Sequence, residues 1–152
     1  WLSFAVLTVL TAVVLICFNY LTAKYVQGTN ESWNLFIVYS ETNFAEFGVY
    51  LTLIVLGPLM EELVCRGLLQ HAFFKNSRWG LDILFPSILF ALPHFSSLPS
   101  LLDLLVYTAV GCIFGGLTRY TKTIYPSYTI HIINNIIANL PFIMTFLHRV
   151  FA

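Results

Sequence analysis

From Trp1 to Tyr20 the chain carries no charged residue, and apolar stretches of similar kind recur along the rest of it. A run of that length crosses a hydrocarbon core of about 30 Å as a helix, with Trp1 and Tyr20 as candidate anchors at the two interfaces. Only 9% of the 152 residues are charged and 59% are hydrophobic, against about 25% charged in an average soluble domain. The expected class is therefore all-α, a polytopic membrane helix bundle. The formal net charge is +0 and no basic run carries interleaved aromatics, which sets nucleic-acid binding aside. Cys17, Cys65 and Cys112 all lie in apolar runs and do not read as a disulfide framework. The sequence begins at Trp1, so further upstream residues are an expectation, and no signal-peptide cleavage pattern is visible.

Five spans are expected. After Trp1–Tyr20, a polar stretch from Lys24 to Asn43 reads as an external loop, with Leu35–Tyr39 as a short interfacial piece. Phe44–Phe74 is helical in pattern but about 46 Å long at 1.5 Å per residue, more than one straight crossing. Pro58 within it removes a backbone hydrogen bond and predicts a kink or break. Leu81–Phe95 is a third, short apolar segment, between the basic turn Lys75–Arg78 and the turn Ser96–Ser100. Leu101–Tyr120 carries Gly111 and Gly115, a G-x-x-x-G that predicts close helix packing. The second basic turn, Arg119–Lys122, leads to the last span, Tyr125–Leu147. Lys75, Arg78, Arg119 and Lys122 then share one side against Lys24 and Arg149 on the other, so the first side is expected to be cytoplasmic. No repeat or linker divides residues 1–152, which read as a single integral-membrane domain.

Gly57-Pro58-Leu59-Met60-Glu61-Glu62-Leu63-Val64-Cys65-Arg66-Gly67 places two carboxylates and a guanidinium inside an apolar run. Ionisable groups at bilayer depth are costly unless paired or facing water, and so mark functional sites. Glu62 and Arg66 are i, i+4 with the acid first, the favourable orientation for a pair. Glu61 lies about 100° further round the helix and is left as a candidate general base. The bland alternative is an interhelical ion pair without chemistry. Further along, His94 follows Phe90 by four residues, and His131 and Asn135 share a face at i, i+4. Singly, these groups read as caps or interhelical hydrogen bonds; together, a carboxylate, two imidazoles and a carboxamide can activate water and stabilise an oxyanion.

In order and spacing, Glu61-Glu62-x-x-x-Arg66, Phe90-x-x-x-His94 and His131-x-x-x-Asn135 resemble the motifs of the CAAX protease and bacteriocin-processing (CPBP, Abi) family of intramembrane endopeptidases. Gly57-Pro58, Gly67 and Pro126 fit its flanks. The resemblance covers residues 44–140, a protease-like core, and leaves 1–43 as an extra span and loop. It implies that Glu61 activates water with His94 as its partner, that Glu62 and Arg66 support the site, and that His131 and Asn135 hold the oxyanion. The expected function is hydrolysis of a peptide bond in a membrane-associated protein or peptide, in a multi-pass protein of the cell membrane. A bacteriocin self-immunity or membrane-binding protein of the same fold is the alternative. A transporter lacks support because the spans do not form matching halves, and Cys65 reads as small apolar packing. Zinc held by Glu61, His94 and His131 would be of the His-His-Glu type, but no H-E-x-x-H occurs, and the resemblance admits both a metalloprotease and a metal-free glutamate protease.

Overall fold

The computed structural model describes residues 2–22, 42–72, 77–95 and 101–152, with side chains from Ala5 onward. Five helices account for nearly all of them: α1 (Leu2–Thr22), α2 (Asn43–Ala72), α3 (Leu81–Ala91, continued by a 3-10 turn Leu92–His94), α4 (Leu101–Thr121) and α5 (Tyr125–Phe151). There is no strand among the described residues. Four of the helices are long and apolar enough to cross a membrane, whereas Leu81–His94 is shorter and reaches only about 21 Å. The all-α polytopic bundle expected from the sequence is what forms. The expected loop and interfacial piece at 24–41, Lys75 and Asn76 of the first basic turn, and the turn 96–100 lie outside the described residues. Val9, Leu10, Val13 and Val14 of α1 are exposed, as suits a face turned to lipid.

Pro58 does not break α2. Thr42 caps its start, the hydroxyl accepting from Ala45 N at 3.1 Å, and the helix runs on to Ala72. The proline is absorbed by a change of winding: Thr52–Leu56 is π-helical, Gly57–Glu62 returns to α, and Leu63–Leu69 is π-helical again. Gly57 N–H reaches back to Thr52 O across the first π turn. Such insertions are rare in helices and cluster at functional sites, and here they bracket the segment that carries Glu61 and Glu62.

A four-residue rhythm zips α2, α3 and α4 together. Arg66 Nη2 donates to Gly111 O at 2.9 Å, and one turn on Gln70 Nε2 donates to Gly115 O at 2.9 Å. The other sides of the same glycines meet α3. A Cβ on Gly111 would sit 2.8 Å from Ser87 Cβ, and one on Gly115 would sit 3.1 Å from Ile83 Cγ2. The expected tight packing at the G-x-x-x-G is thus found, with α3 as the partner. The core beside it holds Leu15, Cys65, Phe90, Val110, Phe114, Leu117 and Ile130, so Cys65 is a packing residue.

Ion pairs close both ends of the bundle. Arg149 of α5 binds buried Glu46 of α2 at 2.8 Å, and Tyr50 OH also reaches Glu46, at 3.4 Å. At the opposite end Arg119 of α4 binds buried Asp82 of α3 at 3.2 Å. α1 is tied to α5 by a hydrogen bond from Asn19 Nδ2 to Asn134 Oδ1. Two of the basic residues counted for orientation, Arg119 and Arg149, therefore serve as internal clamps.

Candidate active site

Glu62 and Arg66 are both 0% exposed, and Arg66 Nη1 lies 3.2 Å from Glu62 Oε1. The pair expected from i, i+4 spacing forms. The guanidinium lies over the Phe90 ring at 4.6 Å and near Phe114 at 5.4 Å, while its other nitrogen binds Gly111 O. Lying over a ring and donating in plane use the flat fork of an arginine.

His131, 2% exposed, stands between the two glutamates. Its Nδ1 lies 3.2 Å from Glu62 Oε1, and its Nε2 lies 3.5 Å from Glu61 Oε2. The ring stacks on Phe114 at 4.8 Å and meets Phe90 edge-on at 5.6 Å. Glu61 therefore has a partner, and the contact runs to His131 of α5. The Glu61 side chain is 33% exposed although its Oε2 is buried. Part of the Glu61 side chain therefore reaches the surface of the bundle, whereas Glu62 is fully buried.

His94 lies at the tip of α3, where Pro93 converts the last α turn to 3-10 winding and Phe95 continues in extended form. Its Nδ1 lies 2.9 Å from Phe90 O, so its hydrogen bond runs to its own helix and not to Glu61. Phe90 at 4.7 Å and Tyr107 of α4 at 4.6 Å hold the ring. With Nδ1–H donating to that carbonyl, Nε2 is the nitrogen left for other work. Phe90 touches both imidazoles and joins the two halves of the constellation. Asn135, one turn beyond His131, donates from Nδ2 to Leu53 O at 2.9 Å, which commits one of its two N–H groups to α2.

Among the described residues no group of three His, Cys, Asp or Glu side chains is placed to hold a metal ion. Both ring nitrogens of His131 face carboxylates, so as arranged Glu61, His94 and His131 do not form a ready His-His-Glu set. Phe114, Tyr107, Gln70 and Tyr128 were not singled out from the sequence. Gln70 follows Arg66 by four residues and matches the glycine spacing on α4, a signal that was there to read. The aromatics offered none, since any apolar span contains such residues.

An 81-residue stretch, 53% of this chain, is 30% identical to a Bacillus subtilis (strain 168) protein named "Putative membrane peptidase YdiL" and covers 32% of it. The chain spans about a third of the length of that relative. No solved structure matches the chain. The family described as type II CAAX prenyl endopeptidase Rce1-like matches residues 43–137, which takes in α2, α3, α4 and the part of α5 bearing His131 and Asn135. Because that match covers most of the chain and every polar side chain of the cluster, the chain belongs to the type II CAAX prenyl endopeptidase Rce1-like family.

Proposed function

We infer that the chain carries the core of an intramembrane endopeptidase that hydrolyses a peptide bond in a membrane-associated protein or peptide. In this reading α2 to α5 form the peptidase core and α1 is an added span. The observation that supports it is His131 held between two carboxylates of which Glu61 alone is partly exposed. Buried Glu62 and Arg66 give that imidazole a fixed orientation, and Glu61 is left to accept a proton.

The chemistry follows from these positions. The Glu61 carboxylate takes a proton from a water molecule that His94 Nε2 orients, and the hydroxide oxygen bonds to the substrate carbonyl carbon. The carbonyl oxygen becomes an oxyanion, held by His131 Nε2–H and by the N–H of Asn135 that Leu53 does not take. Glu61 returns the proton to the leaving nitrogen as the C–N bond breaks. This scheme routes no step through a metal.

The test is purified Glu61→Gln protein in detergent. Its substrates are an internally quenched peptide ending in a prenylated CAAX sequence and an unprenylated membrane-spanning peptide, each with and without a chelator. Glutamine keeps the shape but accepts no proton, so turnover falls by about 10² to 10⁴ while the protein stays folded. Full activity of the variant refutes the mechanism, and a binding or immunity role predicts that the substitution is silent. Parent activity that a chelator removes and zinc restores would reassign Glu61, His94 and His131 to metal ligation.

A further inference from the structure

The polar groups on the α2-facing side of α5 repair a defect in α2. Gly57 N–H is committed to Thr52 O across the π turn, and Pro58 has no N–H to give. The Leu53 carbonyl therefore lacks both helical donors, residue 57 for an α turn and residue 58 for a π turn. At bilayer depth no water replaces them, so a neighbouring helix must. Asn135 Nδ2 donates to that carbonyl at 2.9 Å, and Tyr128 OH donates to Val55 O at 3.3 Å. Tyr128, His131 and Asn135 are i, i+3 and i+7 on one face of α5. The turn that precedes Glu61 is consequently fastened to α5 on both sides of the imidazole that Glu61 faces.

We propose that Asn135 and Tyr128 are positioning residues of this site: Asn135 supplies the donor that the Leu53 carbonyl lacks because of Pro58, Tyr128 ties the neighbouring Val55 carbonyl, and together they fix Glu61 against His131. Pro58 and Asn135 are then one coupled device: the proline frees a carbonyl, and the carboxamide uses it to set helix register. This rests on the proposed endopeptidase reading only for its kinetic consequence. A displacement of about 1 Å at such a site lowers turnover about 10²-fold, and a released π turn is free to move Glu61 by that much.

The experiment is a double-mutant cycle of Pro58→Ala and Asn135→Leu in the full chain in detergent, read by amide hydrogen exchange over residues 53–63 and by kcat and KM on the quenched peptide. Alanine at 58 returns an N–H that can reach Leu53 O or Ile54 O. Asn135→Leu should speed exchange across that stretch and lower kcat about 10²-fold, with KM moving by less than about threefold. Adding Pro58→Ala should restore protection and recover kcat by about tenfold, and the shortfall reports the second N–H of Asn135. Tyr128→Phe should act in the same direction with a smaller effect, and Asn135→Ala takes the place of the leucine variant if that one does not fold. Independent effects of Pro58→Ala and Asn135→Leu on both readouts overturn the proposal. If the parent cleaves neither peptide, the endopeptidase reading fails and the exchange cycle still decides the positioning role.

Discussion

Removing Arg66 gives the sharpest test of what holds the centre of the bundle. In Arg66→Ala, fully buried Glu62 loses the guanidinium at 3.2 Å and keeps only His131 Nδ1, also at 3.2 Å. Gly111 O loses its 2.9 Å side-chain donor, and the space beside Phe90 and Phe114 empties. Breaking a buried pair by deleting one partner costs about 3–5 kcal/mol, a large part of a total stability of about 5–15 kcal/mol. Thermal unfolding in detergent should show a large drop for the single variant. Glu62→Gln with Arg66→Met removes both charges, leaves an amide oxygen at the first position to accept from His131, and refills the space with a flexible thioether suited to aromatic neighbours. What stays unrepaired is the charged side-chain hydrogen bond to the Gly111 carbonyl, worth about 1.5–3 kcal/mol, so recovery should be partial. If the double variant melts no higher than Arg66→Ala, the Glu62 charge is not what Arg66 is there to balance.

Gly111→Ala should destabilise by about 1–3 kcal/mol, because its Cβ would meet Ser87 at 2.8 Å. Gly116→Ala, with nothing within 4 Å, should be neutral or slightly stabilising on helix propensity, and equal effects at the two glycines in a melting assay would contradict the α3–α4 contact. For topology, the end bearing Arg78 and Lys122 should be cytoplasmic; strong labelling of a cysteine at Ser77 by an impermeant reagent from outside intact cells would reverse the orientation.

Legibility followed the range of the interaction. Glu62–Arg66 lies within one helix, so spacing alone predicts it. The contact between Glu61 and His131 depends on how α2 meets α5, and the resemblance to a family, which implied His94 as the partner of Glu61, did not supply it. Glu46 with Arg149, and Asn19 with Asn134, escaped for the same reason. Asn19 lies near the polar end of an otherwise bland span, and its side chain finds its partner on α5. Pro58 shows the opposite failure. The local rule that proline breaks a helix is sound for an isolated segment, yet a π turn on one side and a carboxamide from α5 make the continuous helix viable.

The recurrence of four-residue spacing has a physical consequence for the choice of residues. α2 presents Glu62, Arg66 and Gln70 one turn apart, α4 presents the carbonyls of Gly111 and Gly115 at the same interval, and α3 answers with Ile83 and Ser87. Side chains spaced by four form ridges along a helix, and facing ridges mesh when their spacing agrees. The absent side chains of Gly111 and Gly115 let α3 pack directly on α4, while the carbonyls of the same residues accept from Arg66 and Gln70 of α2. The Gly111 carbonyl is one reason an arginine stands at 66. One planar group must pair with Glu62 through one nitrogen and donate to Gly111 O through another while it lies over the Phe90 ring and close to Phe114. A lysine ammonium, with donors directed from a point, could make the ion pair or the carbonyl bond but could not also lay a flat face on the Phe90 ring. The charge at 66 is thus tied to the glycines of α4 as closely as to its own acid, and through Glu62 and His131 both converge on the orientation of Glu61.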